Sequence, residues 1–166
     1  MTFSAPSSPI AISSASAARR SPRPPPTPGA SVHLDVQFRD LLTPGTELHT
    51  RWIAQVDTIA GYLKQLQEAR VPILWRPYHE MNGGWFWWGS SGISAENYKE
   101  LFRLTVSYMK ERTKSVLYSW SPNTPFNLSR YPGDEYVDVI GLDAYEVTIN
   151  SLREQLGLAV DKAIAS

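Results

Sequence analysis

One stretch of the sequence decides the fold, and it reads Val71-Pro-Ile-Leu-Trp75-Arg-Pro-Tyr-His79-Glu80-Met-Asn-Gly-Gly-Trp85-Phe-Trp-Trp88-Gly89. The short apolar run at its start predicts a buried strand. The remainder places a single carboxylate, that of Glu80, among aromatic side chains and glycines. A glutamic acid shielded by indole rings keeps its proton closer to neutral pH than an exposed one, so this stretch is suited to protonating a leaving group.

The segments around this stretch alternate between helical and strand patterns. Apolar residues recur at three- and four-residue steps from Arg51 onward and again after Ser94, a good N-cap, which predicts two helices. Residues 115–120 and 136–142 are predicted strands, and a last helix follows with apolar positions at Leu152, Leu156, Ala159, Val160 and Ala163. Strands that alternate with helices predict an α/β fold with a parallel sheet.

Each predicted strand ends in polar or aromatic residues, namely Tyr78-His79-Glu80, Trp120-Ser-Pro-Asn123 and Asp143-Ala-Tyr145. In a parallel sheet the carboxyl ends of the strands lie at one edge, where barrel enzymes carry their active sites. We therefore expect these three clusters to meet, with Glu80 as a general acid/base. The alternative for Glu80 is a surface turn with a salt bridge to Arg76.

Several neighbours of Glu80 are candidate binding residues, each with a structural alternative. His79 could hydrogen-bond a sugar hydroxyl or hold the neighbouring carboxylate, or it could be a satisfied core histidine. Arg76 could orient a carboxylate through a bidentate contact or simply tie two strands together. Asp143 and Tyr145, two positions apart on an extended segment, should face the same way and contact sugar and a catalytic carboxylate, unless Asp143 only forms a turn or cap.

Four consecutive aromatic residues, from Trp85 to Trp88, follow two glycines and are predicted to lie on a loop. They cannot all face inward. We expect Trp85 to be exposed as a platform for stacking sugar rings, and Trp88 to pack beneath the loop. Trp120, at the end of its strand, is a candidate for the wall of the cleft.

The composition narrows the classes of function. Sixteen basic and 16 acidic residues give a net charge of +0, which favours neither nucleic acid nor an anionic membrane as a partner. The sequence has no cysteine, which excludes thiolate metal sites and a cysteine nucleophile. No His-x-x-x-His pair is present, so zinc binding is not expected. No run of about 18 apolar residues predicts a transmembrane helix.

Residues 1–31 are rich in Pro, Ser and Ala and contain no acidic residue. We predict that they are disordered, because this composition does not support a packed core. A Ser- and Arg-rich end also occurs in transit peptides, whereas the apolar run of a secretion signal is not found, so localisation stays open. The domain is predicted to span residues 35–166, and no oligomeric state is predicted.

Four motifs occur in a distinctive order and spacing. They are Arg76-Pro-Tyr-His79-Glu80-Met-Asn-Gly-Gly-Trp85-Phe-Trp-Trp-Gly89, Tyr118-Ser-Trp-Ser-Pro-Asn123, Tyr131-Pro-Gly-Asp134 and Asp138-Val-Ile-Gly-Leu-Asp143-Ala-Tyr145. Together they resemble glycoside hydrolase family 26, the first motif being long and specific and weaker similarity beginning near Asp35. The resemblance implies a (β/α)8 barrel, of which this chain would hold a part from about the third helix to the sixth.

For most family members the resemblance implies retaining endo-β-1,4-mannanase activity on mannan, glucomannan or galactomannan; others cut mixed-linkage β-glucan or β-1,3-xylan. By position, Glu80 would be the acid/base, His79 a contact of substrate and nucleophile, and Trp85 a wall of the subsite that holds the cleaved sugar. Asp143 and Tyr145 would be further members of the site. The resemblance implies no metal or cofactor, and it suggests an extracellular protein.

One element of the family pattern is not found. A retaining glycosidase needs a second carboxylate about 5–5.5 Å from the first, and in this family it is a Glu at the end of the seventh strand. The sequence ends at Ser166, after the predicted sixth helix. We therefore expect a fragment that lacks the nucleophile and has little activity alone, with Glu146 the one other carboxylate near a strand end.

Two other classes of function compete with a hydrolase. A non-catalytic carbohydrate-binding protein would use Trp85 and Trp88 as stacking surfaces. An interaction protein would pack the aromatic loop on a partner and would bind no sugar.

Overall fold

The computed structural model describes residues 38–145 and 147–165; the predicted disordered segment 1–31 and Glu146 lie outside the described residues. Residues 38–42 are helical. The elements that follow are α1 (Glu47–Glu68), β1 (Ile73–Trp75), α2 (Ala95–Arg112), β2 (Val116–Trp120), a 3-10 helix (Asp134–Tyr136), β3 (Val139–Ile140) and α3 (Ile149–Ile164). Helices and strands thus alternate as predicted.

Each long helix begins at a hydroxyl side chain. Thr46, Ser94 and Thr148 each accept a hydrogen bond from the backbone N–H three residues later, which satisfies one free amide of the first turn. Ser94 is the cap that the sequence predicted. Helix α1 begins at Glu47, before the predicted start at Arg51, because Thr46 provides a cap that apolar periodicity does not reveal. None of the helices in the described ranges combines the length and apolarity needed to cross a bilayer.

The three strands form one parallel sheet in the order β1-β2-β3. Leu74 of β1 pairs with Leu117 of β2, and Ser119 of β2 pairs with Val139 of β3. The predicted α/β class with parallel strands is confirmed. Strand β3 is shorter than the predicted strand 136–142, because the chain turns as a 3-10 helix just before it.

Helix α2 supplies much of the core, and α1 and the sheet pack into the same cluster. In β2, Tyr118, Ser119 and Trp120 are buried, whereas Leu117, just before them, is exposed. The loop after β1 contributes Met81, which is fully buried. The largest fully buried side chains are those of Trp120, Tyr98, Phe102, Met81, Leu101 and Met109.

Helix α3 is covered less than the sequence predicted. Ala159 is its only buried residue among those described, and Leu156 and Val160, two members of its predicted apolar stripe, are exposed. Leu74 and Leu117, neighbours in the sheet, are exposed as well. Periodicity predicted the helix correctly, but it does not say whether another element covers the apolar side.

A pair of leucine substitutions tests this placement of the core. Leu101→Ala empties a fully buried position in α2, and we expect it to lower the free energy of unfolding by about 2–5 kcal/mol. Leu156→Ala, on the exposed side of α3, is the control and should change the free energy of unfolding by about 0.5 kcal/mol or less. Urea denaturation followed by circular dichroism measures both, and equal losses would contradict the described core.

Candidate active site

The ends of the three strands meet, as the sequence predicted. The backbone N–H of Glu80, after β1, donates to the carbonyl of Ser121, after β2, at 2.7 Å. Asn123 and Asp143 form a parallel bridge between the ends of β2 and β3, and the N–H of Thr124 donates to the Asp143 carbonyl at 3.0 Å. The three polar clusters are therefore held at one edge of the sheet.

Glu80 lies at this edge, after the end of β1. Glu80 is 8% exposed, and its Oε2 accepts a hydrogen bond from the indole Nε1 of Trp85 at 2.9 Å. The alternative interpretation, an exposed turn with a salt bridge to Arg76, is wrong, because Glu80 is buried and Arg76 pairs with Asp143. A buried carboxylate with a fixed hydrogen-bond donor is an arrangement suited to proton transfer.

The backbone that presents Glu80 is in an uncommon conformation. Tyr78 and Glu80 have positive φ angles of 51° and 53°, in the left-handed region that non-glycine residues rarely adopt. Such a turn persists only where surrounding contacts hold it. The contacts that hold this one involve Tyr78.

The Tyr78 hydroxyl joins a chain of buried hydrogen bonds between helices. It accepts from Nε1 of Trp52 in α1 at 3.2 Å and lies 3.2 Å from the hydroxyl of Thr105 in α2. Thr105 donates its own proton to the Leu101 carbonyl, so the Tyr78 hydroxyl is the donor to Thr105. Burial raises the pKa of Tyr78, which keeps the phenol protonated as this role requires. The Tyr78 carbonyl also accepts from the Tyr98 hydroxyl at 3.0 Å.

Asn82 is a structural residue of the site that the sequence did not single out. Its Nδ2 donates to the carbonyls of Asn123 at 2.6 Å and Pro125 at 3.1 Å, and its Oδ1 accepts from the Asn123 N–H at 2.8 Å. One side chain thereby fastens the loop after β1 to the loop after β2. In the sequence, the one indication of this role is that Asn82 lies two residues after Glu80.

Arg76 and Asp143 form an ion pair. Arg76 Nη1 lies 2.5 Å from Asp143 Oδ2, and the aspartate side chain is the less exposed of the two. Because β2 lies between β1 and β3, this pair spans the sheet edge. Arg76 therefore ties two strand ends together, through a single contact with the carboxylate instead of the predicted bidentate one.

Tyr145 reaches Glu80 from the third strand end. Its side chain is exposed, and the Glu80 carboxylate acts on its hydroxyl. The negative charge of Glu80 is the largest cause that raises the pKa of Tyr145, followed by burial and the charge of Asp143. The contact of Asp143 and Tyr145 with a sugar stays a prediction.

The aromatic loop divides into half-buried, packed rings and exposed rings. Phe86 stacks on Trp88 with ring centroids 4.3 Å apart, and the His79 ring packs against both. Trp88 Nε1 donates to the His79 carbonyl at 2.9 Å. Trp88 thus packs beneath the loop as predicted, and His79 is built into this aromatic layer.

Trp85 is 58% exposed, as predicted for a stacking platform. Its six-membered ring lies over Gly83, where a Cβ would overlap the ring, so a larger residue there would displace the indole. Trp87 is also exposed, at 49%, which the sequence did not predict.

Trp120 differs from the prediction. Its side chain is 0% exposed and packs edge-on against Phe126 and Tyr131, with centroids 6.1 and 5.0 Å away. It belongs to the core beneath the sheet edge and does not form an open wall of the cleft. The reason is the alternation of the strand, which turns Trp120 to the same side as Tyr118.

Residues 35–160 match the family described as Glycosyl hydrolase family 26. The chain belongs to this family. It is 41% identical over 119 residues to a Bacillus subtilis protein named mannan endo-1,4-beta-mannosidase, and 39% identical over 116 residues to a protein of that name from Bifidobacterium adolescentis. Among solved structures, the catalytic domain of a Bacillus sp. JAMB-750 GH26 endo-beta-1,4-mannanase superposes with a TM-score of 0.67 at 37% identity.

The matches cover most of the length of this family 26 chain, but a much smaller share of the length of its relatives. The two alignments span 66% and 63% of the chain, but 33% and 12% of the Bacillus subtilis and Bifidobacterium adolescentis proteins. The superposition covers 76% of the chain and 38% of the JAMB-750 domain. The predicted fold, part of a family 26 (β/α)8 barrel, is confirmed.

The contact between Tyr145 and Glu80 can be tested by titration. Because ionised Glu80 opposes ionisation of the nearby phenol, Glu80→Gln should lower the pKa of Tyr145 towards its ordinary value of about 10. NMR titration of 13C-tyrosine-labelled protein, with Tyr145→Phe to assign the signal, measures this pKa. Glu135→Gln, on the 3-10 helix, is the control. A pKa that responds equally to both changes would contradict the described contact.

Proposed function

We propose that this chain carries the acid/base part of a retaining endo-β-1,4-mannanase site, with Glu80 as the proton donor. The observation that carries the proposal is the buried Glu80 carboxylate, held by the Trp85 indole at 2.9 Å at the common end of three parallel strands. Membership of a glycosidase family supports the reaction class. The proposed domain covers residues 35–166.

The geometry supports a division of roles around Glu80. In the first step Glu80 would protonate the leaving oxygen of the glycosidic bond, and in the second it would accept a proton from water. The Trp85 N–H fixes one carboxylate oxygen. The exposed face of the same indole is available for stacking of a sugar ring. Tyr145, which the Glu80 carboxylate influences, would complete the polar surface facing the sugar.

The proposed substrate is a β-mannan-type polysaccharide. The Bacillus subtilis and Bifidobacterium adolescentis relatives are named mannan endo-1,4-beta-mannosidase. A neutral polymer also suits a chain with a net charge of +0. Arg76, Asp143 and His79 are proposed as further contacts of the sugar or supports of the site, by their place around Glu80.

The second carboxylate of the reaction is proposed to lie outside the described residues. Asp143 has one oxygen held by Arg76 at 2.5 Å, which suits a positioning role more than attack on a sugar. Other acidic side chains pair away from the site, and these are Glu96 with Lys99, Glu111 with Arg112, and Asp134 with Lys162. Glu146 is not among the described residues.

A chimera tests the role of Glu80. Residues 35–160 would replace the matching segment of the Bacillus subtilis relative, so that the remaining barrel comes from that protein. We expect the chimera to hydrolyse mannan and Glu80→Gln to lower its rate by about 10²- to 10⁴-fold. With a 2,4-dinitrophenyl β-mannoside, whose leaving group needs no protonation, Glu80→Gln should lower the rate of the first step far less.

The control for the chimera is Glu135→Gln, which should leave the rate unchanged. Mannan hydrolysis that survives Glu80→Gln would refute the acid/base assignment.

The 166-residue chain by itself makes a separate test. We expect it to hydrolyse mannan no faster than its Glu80→Gln variant, because the described residues provide one suitably placed carboxylate. In calorimetry with mannohexaose, Glu80→Gln should keep the affinity, whereas Trp85→Ala should weaken it about tenfold. Hydrolysis by the chain that Glu80→Gln abolishes would show that the chain holds both carboxylates.

A non-catalytic carbohydrate-binding protein remains the second candidate function, and the two exposed indoles of Trp85 and Trp87 favour it. It predicts mannohexaose binding by the chain together with an inactive chimera. An interaction protein predicts no binding of mannohexaose at all.

A further inference from the structure

A concave site lies beside the aromatic loop. It is a cavity of about 290 Å³, close to the lower end of the range of about 300–1,000 Å³ for small-molecule pockets. Its apolar floor is formed by Phe38, Leu41, Trp52 and Ile93, all buried. Neither Glu80 nor the other residues of the candidate active site line it, so it is a separate site on the same protein.

Trp87 forms one wall of this cavity. Its ring is held edge-on by Tyr78 and Trp88, at centroid distances of 6.2 and 5.5 Å. About half of the residue is nevertheless exposed. An indole that is fixed from two sides and open on another offers a rigid apolar face at small entropic cost, as a stacking platform requires.

Arg51 and Gln55 stand at the rim, one turn apart on α1. Both are exposed. Within residues 38–145 and 147–165, neither the Arg51 guanidinium nor the Gln55 amide has a hydrogen-bond or ion-pair partner. Planar side chains of these two types can each bond two adjacent acceptors or donors, and vicinal hydroxyl groups of a sugar present such pairs.

The cavity continues along the surface. A neighbouring depression of about 370 Å³ shares Leu48 and Arg51 with it and adds the polar residues Asp40, Thr46 and Glu47. The two depressions adjoin at Leu48 and Arg51, so an aromatic wall and polar groups belong to one groove on this surface. An aromatic face beside polar groups suits a sugar polymer better than a purely apolar ligand.

We propose that this groove, lined by Trp87, Arg51 and Gln55, is a second binding site for neutral polysaccharide. One sugar ring stacks on Trp87, and its hydroxyl groups bond Arg51 and Gln55. The choice of β-mannan as the ligand rests on the proposed function. The site itself requires no catalysis, so it holds the polymer beside the active site while Glu80 acts on another part of it.

Affinity electrophoresis of the chain in gels containing soluble galactomannan tests the site. The double variant Arg51→Ala/Gln55→Ala removes the rim donors without touching the core, and we expect it to weaken retention about tenfold. Lys64→Ala/Gln65→Ala, exposed on the same helix, is the matched control and should bind as the parent. Trp87→Ala should weaken retention similarly, with circular dichroism to confirm folding.

A third arm separates the two sites. Trp85→Ala alone should leave residual retention, and adding Arg51→Ala/Gln55→Ala to it should abolish that remainder. If the rim variant binds like its control, or if Trp85→Ala removes all binding, the second site does not hold polysaccharide, and the proposed function still stands. Weaker retention of the rim variant together with an inactive chimera would refute the proposed function and support the second site.

Discussion

The turn from Tyr78 to Glu80 holds two non-glycine residues at φ angles of 51° and 53°, and the candidate active site depends on the contacts that keep it there. Such conformations cost on the order of 1–3 kcal/mol each. Single hydrogen bonds contribute about 0.5–1.5 kcal/mol, so several must act together. The Tyr78 hydroxyl bonds α1 and α2, its carbonyl accepts from Tyr98, and the Glu80 N–H bonds Ser121. The carboxylate is thus aimed by the packed body of the domain.

The same turn also contacts the aromatic loop and determines which of its rings are packed. The His79 carbonyl accepts from Trp88, and the layer of Phe86, Trp88 and His79 closes over the turn. The two indoles left outside this layer point to different places: Trp85 bonds Glu80, and Trp87 lines the groove beside α1. One loop therefore serves the candidate active site and the proposed second binding site. Trp85 and Trp87 are exposed and available for contacts with a ligand, because Phe86 and Trp88 pack the loop against the turn.

Much of this arrangement could be predicted from local patterns. Helix periodicity and the Ser94 cap predicted α2, and the polar residues after each strand predicted that Glu80, Asn123 and Asp143 would meet, since parallel strands end at one edge. The errors have a common origin. Local patterns predict neither the burial of Trp120 nor the role of Asn82, because that burial and the bond to Asn123 depend on segments distant along the chain. Periodicity predicted the apolar stripe of α3, but the described residues leave Leu156 and Val160 of that stripe exposed.

By itself, the sequence determined the order of elements, the parallel α/β class and the family, because periodicity, capping and the motif around Glu80 are local properties of the chain. The tertiary structure alone decided which partners the site residues take. Arg76 pairs with Asp143, 67 positions away, instead of Glu80. Asn82 holds Asn123 across 41 positions. Such choices follow from which side chains the packed helices bring within hydrogen-bond distance, and no local pattern encodes that distance.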